Sequence, residues 1–287
     1  MKKIVRSPGS ATIVNAIATG YGSAFGINLD IIAKGKLSSS EIKCSTNIDT
    51  KTTLMELCAK EVINYYGVKT GVEINVESKL PQGSGLSSSS ALSNGVVSLT
   101  ANLIGEEFDL NPLTDDEIIN LAIDASLKAK VTITGAYDDA TASYFGGITV
   151  TNNVKRKIIF KERIEEYNIL IYMPDTVSLT GDCNVEKMEL LSPLVDVAFD
   201  LACKKEYFKA LTLNGILYST SLGFDTKPVM DALENGALAS GLSGTGSSIV
   251  TISDSQHKDD ILDILSSYPG EVAETQVDNV GTKFISR

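Results

Sequence analysis

The residues of this sequence that could carry out chemistry lie in three short segments. Residues 79–93 read KLPQGSGLSSSSALS, residues 134–150 read TGAYDDATASYFGGITV, and residues 239–253 read ASGLSGTGSSIVTIS. The first and third segments are rich in glycine and serine, and the second holds the adjacent acids Asp138 and Asp139. Glycine-serine loops at helix starts suit phosphate oxygens, and a carboxylate can accept the proton of an attacking hydroxyl group.

The segment 79–93 is predicted to be a phosphate-binding loop. It follows a strand pattern at 71–78 and leads into apolar residues at helical spacing. Gly83 and Gly85 can take positive φ angles and let a ligand come close, while the first helical turn offers N–H groups that lack intrahelical partners. Ser87 to Ser90 add hydroxyl groups for phosphate oxygens or a hydrated Mg²⁺. The structural alternative is a glycine-rich turn with serine caps.

The acidic pair is the candidate for proton transfer, because the chain offers no suitable histidine. His257 is the only histidine, and it lies in the polar run DSQHKDD, where we predict a surface residue. A serine hydrolase would need such a base close to a nucleophile elbow. A carboxylate base with two glycine-rich loops suits phosphoryl transfer, in which the protein mainly positions groups and neutralises charge. For Asp138 and Asp139 as a bare pair, a helix N-cap is the alternative.

Two common nucleotide-binding patterns are absent from the sequence. The only Gly-Lys pair is Gly35-Lys36, with Asp30 in place of the first Walker A glycine and Leu37 in place of its Ser or Thr. The GSGLSS run lacks the third glycine of a dinucleotide fingerprint, and a polar linker follows it where that fingerprint requires a second strand ending in an acid. The loops therefore belong to another class of phosphate site.

The elements that must position these segments alternate between strands and helices. Glycine-broken strands are predicted within 4–34, a loop or edge strand in 38–53, a helix over 54–66, and a short strand at 131–134. Thr114 and Glu117 form a capping-box pattern that opens a helix ending near Lys130. Further strands are predicted at 148–151, 157–160, 167–173, 248–252, 271–277 and 282–286, with helices at 185–203, 206–221, 226–236 and 259–267. Pro193 must kink or start a helix.

Composition and charge restrict the partners. The net charge of −11 disfavours nucleic acid and anionic membranes, and 43% hydrophobic residues suffice for a substantial core. The four cysteines form no CxxC pair, so we predict reduced thiols and a cytoplasmic location without a zinc site. The N-terminal apolar run is too short for a signal peptide, and no stretch approaches the roughly 18 apolar residues of a membrane span.

The three segments, taken in order, resemble the motifs of the GHMP kinase superfamily. PQGSGLSSSSA at 81–91 is similar to its phosphate loop, GLSGTGSS at 241–248 to its C-terminal glycine motif, and SPGSATIVN at 7–15 stands at the place of its N-terminal motif. Within that superfamily, TIVNAIATGYGSAFGI, GLSSSSALSN, TGAYDDATASYFGGIT and LNGILYSTSL resemble archaeal-type shikimate kinases. The resemblance covers nearly the whole chain.

The resemblance implies an α+β chain with the GHMP kinase fold. Residues 1–163 would form an N-terminal ATP-binding half, similar to ribosomal protein S5 and with a left-handed βαβ crossover. Residues 164–287 would form a ferredoxin-like C-terminal half. The general rule for parallel strands predicts a right-handed crossover, so the left-handed form is implied by the family alone.

The resemblance also implies ATP-dependent phosphorylation of the 3-hydroxyl group of shikimate in aromatic amino acid biosynthesis, with ATP and Mg²⁺ as cofactors. Asp139 would be the base and Asp138 its support, and Ser89 would contact the metal. The implied ATP-binding residues are Pro81, Gly83, Ser84, Gly85, Leu86, Ser87, Ser88, Ser89 and Ser90. The implied substrate-binding residues are Asn15, Thr134, Tyr137, Gly241, Ser243, Gly244, Thr245 and Gly246.

Two positions depart from the family pattern. Ser10 stands where many mevalonate-type members carry a lysine, and Lys128 stands where an acid supplies a second Mg²⁺ ligand. The carboxylate of shikimate calls for a cation, for which Arg6, Lys128, Lys130 and Arg156 are candidates. Homoserine kinase or another small-molecule kinase of the superfamily remains an alternative function, as does a non-catalytic ATP-binding regulatory protein. The oligomeric state stays open, with a homodimer among the alternatives.

Overall fold

The computed structural model of the chain describes residues 2–48, 51–81, 83–175 and 183–285. One sheet combines the strands of the N-terminal half with the last strand of the described chain. The strands are β1 (Lys3–Val14), β2 (Tyr21–Ser38), β3 (Ile42–Thr46), β4 (Gly71–Ser78), β5 (Ile148–Asn152), β6 (Lys157–Glu162) and β11 (Lys283–Phe284). Their order is β11-β1-β2-β4-β3, and β5 and β6 are added through β2. The α+β class expected from the sequence is confirmed.

The glycine-rich residues 4–34 form two long strands joined by one turn, rather than the several short strands predicted. Gly9 and Gly26 lie within β1 and β2 and allow close packing there. A Cβ atom on Gly9 would lie 2.7 Å from the carbonyl oxygen of Leu86, and one on Gly26 would lie 2.6 Å from that of Asp278. The small residues therefore leave room for neighbouring backbone.

The edge of this sheet is a βαβ unit. The predicted edge strand in 38–53 is confirmed as β3, which pairs in parallel with β4, and helix α1 (Thr53–Tyr66) connects the two. Helix α1 buries Leu54, Cys58 and Val62 as its helical spacing predicts, whereas Tyr65, at the same spacing, is exposed. The left-handed crossover implied by the resemblance concerns this unit and stays a prediction.

Three helices follow β4 in the N-terminal half. They are α2 (Ser88–Glu107), α3 (Asp115–Lys128) and α4 (Tyr137–Phe145). Helices α2 and α4 pack on the sheet and carry the phosphate loop and the acids, and α3 packs against α1, α2 and α4. Gly95 lets α2 approach the sheet, because a Cβ there would lie 2.7 Å from Cδ1 of Ile31. Residues 131–134, predicted as a strand, form an irregular connection without a pairing strand, and α3 ends at Lys128 rather than Lys130.

The C-terminal half is built on an antiparallel sheet with the order β10-β7-β9-β8. Its strands are β7 (Asn168–Pro174), β8 (Ala239–Leu242), β9 (Ile249–Ser253) and β10 (Gly270–Gln276), and its helices are α5 (Val185–Glu189), α6 (Ser192–Cys203), α7 (Tyr207–Leu222), α8 (Lys227–Glu234) and α9 (Lys258–Ser266). With helices between β7 and β8 and between β9 and β10, this is the βαββαβ order of ferredoxin-like folds.

The segment predicted as helical over 185–203 forms two helices, and Pro193 stands at the start of the second, one of the two alternatives predicted for it. Helix α5 ends at Glu189, and α6 begins at Ser192 with Pro193 in its first turn. Proline is tolerated there because the first N–H groups of a helix have no intrahelical acceptor. None of the described helices is long and apolar enough to cross a bilayer.

The last described residues return to the N-terminal sheet. Val277 forms a bridge with Ile27, and β11 pairs with β1. The predicted strand 282–286 is thus shorter, and Ser286 lies outside the described residues. The division of the chain at 163/164 stays a prediction, and residues 277–285 join the two halves through this return.

Candidate active site

The three motif segments meet around one cavity of about 700 Å³. Both glycine-rich loops, the start of α4 and the end of β1 contribute to its wall. The lining includes these residues predicted from the sequence: Asn15, Gly83, Gly85, Ser87, Ser88, Ser89, Thr134, Asp138, Asp139, Gly244, Thr245 and Gly246. Segments that are far apart in the sequence are thus brought to one place.

The other predicted site residues lie behind the wall of this cavity, not on it. They are Pro81, Ser84, Leu86, Ser90, Tyr137, Gly241 and Ser243. Leu86 is fully buried in the main core, and Tyr137 packs with Ile119 and Ile123 between α3 and α4. Gly241, the first residue of the predicted glycine motif, lies in strand β8 against α7, so the second glycine loop begins at Ser243.

The first loop has the backbone geometry that its glycines predict. Gly83 and Gly85 have φ angles of 61° and 75°, and Ser87 has a φ of 57° immediately before α2 begins. Left-handed conformations of this kind turn successive N–H groups toward one side, which creates a concave anion site. The first turn of α2 adds N–H groups and the positive end of the helix dipole at the same point.

The end of β1 connects all three motifs. The Ser10 hydroxyl donates to Ser87 Oγ at 2.7 Å and lies 3.4 Å from Asp139 Oδ1. The Thr12 hydroxyl accepts from the backbone N–H of Gly244 at 2.9 Å, and Asn15 Nδ2 donates to the Gly244 carbonyl oxygen at 2.9 Å. Strand β1 therefore holds the phosphate loop, the acid and the second glycine loop in register.

The two glycine-rich loops also contact each other directly. The Ser243 hydroxyl donates to the carbonyl oxygen of Gly85 at 2.8 Å and accepts from the N–H of Thr12 at 3.0 Å. The backbone N–H of Ser248 donates to the carbonyl oxygen of Ser84 at 3.2 Å. The N-terminal and C-terminal halves are thus locked together at the cavity.

The acids begin helix α4, which the buried polar face of α2 holds in place. Ala136 has a φ of 46° at the helix start, so Asp138 and Asp139 fall in the first turn, where the helix dipole favours carboxylates. Asn94 on α2 donates to the Ala140 carbonyl oxygen at 2.9 Å and to Ser143 Oγ at 3.2 Å. These two hydrogen bonds fix α4 relative to the phosphate loop that starts α2.

The two acids have different environments. Asp138 is buried, and its Oδ1 accepts a hydrogen bond of 2.7 Å from Asn153 Nδ2. Gly22 makes room for it, since a Cβ there would lie 2.4 Å from Asp138 Oδ2. Asp139 is half-buried on the cavity wall beside Ser10 and Ser87. Both acids line the cavity, and Asp139 is the more exposed of the two.

Burial and the neighbouring charge raise the pKa of Asp139 well above the usual range of an aspartate. Burial alone also raises the pKa of Asp138, although the hydrogen bond from Asn153 opposes that rise. For Asp139, hydrogen bonds with Ser87, Ser10 and Thr12 act in the opposite direction and are the smaller effect. A carboxylate with a raised pKa is a stronger proton acceptor than an ordinary aspartate.

The four cations that the sequence suggests for a substrate carboxylate differ in whether they form ion pairs. Arg6 pairs with Asp30 and Asp278, Lys128 with Glu61, and Arg156 with Asp124. Lys130 lines the cavity and has no ion pair within the ranges that the structure describes. Lys51, which was not predicted, lines it as well.

The donor set of the cavity fits a nucleotide phosphate more readily than a protein-held metal. Within the described ranges, no group of three or more acidic, histidine or cysteine side chains could hold a metal ion. The wall offers the carboxylates of Asp138 and Asp139 and the hydroxyl groups of Ser87, Ser88 and Ser89 among its oxygen atoms. A hard cation would therefore take most of its ligands from phosphate oxygens and water, which is usual for Mg²⁺.

Among the residues of the site that were not predicted from the sequence are Thr12, Asn153 and Lys51. Thr12 could have been predicted from the sequence, because side chains two positions apart in a strand point to the same face and Thr12 lies two positions after Ser10 on β1. Asn153 gave no signal, since it lies in a turn after β5 and meets Asp138 only in the folded chain. Lys51 follows a polar run that resembles any surface loop.

Comparison with known proteins gives a consistent result. Residues 53–147 match the family model described as GHMP kinases N terminal domain, and residues 205–270 match GHMP kinases C terminal. A protein of Methanobrevibacter smithii named shikimate kinase is 58% identical over 99% of this chain and 100% of its own length. One of Methanothermobacter thermautotrophicus with the same name is 52% identical over 99% of both chains.

A solved structure shares the fold at low sequence identity. The crystal structure of homoserine kinase from Cytophaga hutchinsonii superposes with a TM-score of 0.74 and 18% identity, over 99% of this chain and 97% of the other. Similarity at that level of identity supports the fold alone, because one fold serves many substrates.

Proposed function

The chain belongs to the GHMP kinases, and within them to the group of archaeal shikimate kinases, and on that basis we propose that it transfers the γ-phosphoryl group of ATP to the 3-hydroxyl group of shikimate. One observation carries the proposal. Asp139, an acid with a raised pKa, lies on the cavity wall beside Ser10 and Ser87, between two glycine-rich loops. A proton acceptor next to a phosphate site is what phosphorylation of an alcohol requires.

In the proposed reaction, Asp139 accepts the proton of the 3-hydroxyl group as the oxygen of that hydroxyl attacks the γ-phosphorus. The bond between the γ-phosphorus and the β,γ-bridging oxygen breaks, and ADP leaves with that oxygen. The N–H groups of residues 83–89 and the start of α2 hold the phosphates of ATP and stabilise the negative charge that they carry. Bound Mg²⁺, with Ser89 as its protein ligand, would neutralise further phosphate charge. Ser10 and Ser87 orient the carboxylate of Asp139 through their hydroxyl groups.

The acid pair acts as one unit in this proposal. Asp138 is the more buried of the two and is held by Asn153, so it is a positioning residue that also keeps the proton affinity of Asp139 high. Two interacting carboxyl groups titrate together, and the ionised form of Asp139 is the active one.

Lys130 is the proposed anchor for the carboxylate of shikimate. It lies on the connection between α3 and α4 that also carries Thr134, and both residues line the cavity together with the acids. The other cations suggested by the sequence are held in ion pairs. A free ammonium group near the base would place the ring with its hydroxyl groups toward Asp139. A cytoplasmic location is part of the same proposal and accords with the four unbridged cysteines.

The direct test is turnover by the purified protein with ATP, Mg²⁺ and shikimate. We expect ADP release and a product phosphorylated at the 3-hydroxyl group, identified by phosphorus–proton correlation in NMR. Turnover with homoserine and none with shikimate would move the function to homoserine kinase. Binding of ATP in a calorimeter, with no ADP formed from a panel of alcohols, would instead support a non-catalytic protein.

A further inference from the structure

A second cavity, of about 380 Å³, lies where the two halves of the chain meet. Its wall combines Ile148 of β5, the connection between β6 and β7, and the start of α7. None of its lining residues belongs to the wall of the active-site cavity. Its volume falls within the range of about 300–1,000 Å³ that is usual for small-molecule sites.

The apolar part of this second cavity is suited to a flat ring. Tyr167 and Phe208 meet edge to face with their centroids 5.2 Å apart, and the buried Ile148 and Ile164 complete the surface. Aromatic side chains prefer offset or edge-to-face neighbours, and each added pair contributes about 0.5–1.5 kcal/mol beyond area burial. An aromatic ligand would therefore find matching partners.

Of the charged side chains on this wall, one positive and one negative group have no ion pair within the described residues. Lys205 is paired with Glu162, and Lys209 with Glu206. Arg163 and Glu165 are exposed on either side of the buried Ile164, and neither forms an ion pair within the described part of the chain. Glu165 accepts a hydrogen bond of 2.9 Å from the Tyr167 hydroxyl group, which holds it next to the aromatic surface.

We infer that this second cavity binds an α-amino acid with an aromatic side chain. Arg163 receives the α-carboxylate, Glu165 receives the α-ammonium group, and the ring lies against Tyr167 and Phe208. A guanidinium group suits this task because it offers several N–H donors in a plane that matches a carboxylate. A neutral aromatic compound or a small amino acid would satisfy only half of the site.

Helix α7 connects this second cavity to the active site. Its first residues, Tyr207 and Phe208, line the second cavity, while Asn214 Oδ1 further along accepts a hydrogen bond of 3.0 Å from the N–H of Asn15. Gly215 packs against the backbone of Gly241, since a Cβ there would lie 2.4 Å from that Cα. A displacement of α7 on ligand binding would reach Asn15 and the second glycine loop, so the amino acid should alter the kinase reaction.

Titration calorimetry on the full chain tests the binding. We expect L-phenylalanine or L-tyrosine to bind, and L-alanine and phenylacetate to bind at least about tenfold more weakly, because each lacks one of the groups recognised. Arg163→Gln should weaken binding about tenfold or more, and Phe208→Leu should also weaken it. Lys155→Gln, which removes an exposed charge from the β5–β6 hairpin, is the matched control and should leave binding unchanged.

Three outcomes would overturn the inference. They are no binding at millimolar amino acid, binding unaffected by both Arg163→Gln and Phe208→Leu, and strictly competitive displacement by shikimate that no concentration of amino acid saturates, which would assign the amino acid to the first cavity. The coupling rests on the proposed function and is tested by the shikimate-dependent rate with and without the amino acid. An unchanged rate at saturation overturns the coupling, whereas the calorimetric result needs no turnover and stands separately from the proposed activity.

Discussion

The hydroxyl group of Ser243 donates a hydrogen bond of 2.8 Å to the carbonyl oxygen of Gly85, and this contact spans 158 positions of the sequence. It joins the two glycine-rich loops, one from each half of the chain. The same hydroxyl accepts from the N–H of Thr12, so one small side chain connects three segments. The shape of the phosphate site therefore depends on a residue that does not line the cavity.

Ser243→Ala should weaken ATP binding although Ser243 is not on the cavity wall. The N–H of Thr12 and the carbonyl oxygen of Gly85 would lose their partner, which costs about 1–3 kcal/mol of unfolding free energy for a group left unpaired. Denaturant unfolding and ATP titration measure the two effects. Ser267→Ala, at the exposed end of α9, is the control. Unaltered ATP affinity in Ser243→Ala would contradict the role of this contact.

Asp139→Asn should lower kcat by a factor of about 10² or more and leave ATP affinity largely unchanged, because the base acts on the alcohol rather than on the nucleotide. Steady-state kinetics and ATP titration give the two quantities. Asp263→Asn on the exposed face of α9 serves as the control for loss of one carboxylate. Full activity of Asp139→Asn would remove it from the role of base.

Asp138→Asn should shift the pH dependence of the reaction. Asp139 works only when ionised, so kcat/KM should rise with pH through its raised pKa. Burial is the largest cause of the raised pKa of Asp139, and the charge of Asp138 is the second largest. A neutral side chain at 138 removes the repulsion, the pKa of Asp139 falls, and the rising limb of the profile moves to lower pH. If the rising limb of the kcat/KM profile of Asp138→Asn lay at the same pH as in the unmutated protein, Asp138 would carry no charge in the active enzyme.

Gly85→Ala and Gly67→Ala form a matched pair. Both glycines have positive φ angles, 75° and 66°, but a Cβ on Gly85 would lie 2.1 Å from the carbonyl oxygen of Ser243, whereas one on Gly67 meets nothing within 4 Å. Gly67→Ala should cost only the roughly 1–2 kcal/mol of a left-handed alanine. Gly85→Ala should cost more and also weaken ATP binding. Thermal unfolding and ATP titration compare the two, and equal effects would argue against the loop contact.

Lys130→Gln should raise KM for shikimate about tenfold and leave KM for ATP unchanged, because a charge-assisted contact contributes about 1.5–3 kcal/mol. Lys128→Gln is the control, since Lys128 already pairs with Glu61 on α1. Kinetics with each substrate varied in turn gives both KM values. If Lys51→Gln raised KM for shikimate and Lys130→Gln did not, the anchor would be Lys51.

Much of the fold was predictable because it follows from short-range rules. The capping box at Thr114 and Glu117 forms as expected, with the Thr114 hydroxyl accepting from the N–H of Glu117 at 3.3 Å and Glu117 Oε2 accepting from the N–H of Thr114 at 2.8 Å. Strand β4 has the bounds read from its alternating pattern. The failure at 131–134 has a non-local cause, because its β-branched residues favour a strand but no strand of the described residues pairs with them.

The sequence alone determined the chemistry of this protein, and the tertiary structure decided its geometry. Glycines, serines and adjacent acids in their order point to phosphoryl transfer, because residue type and local spacing set backbone freedom and donor groups. Only the folded chain decides that Ser243 joins the loops and that Asn153 holds Asp138. It also decides that Lys128 is held in an ion pair and that Lys130 has none within the described residues. These contacts depend on chain segments that meet through packing, and no local pattern encodes them.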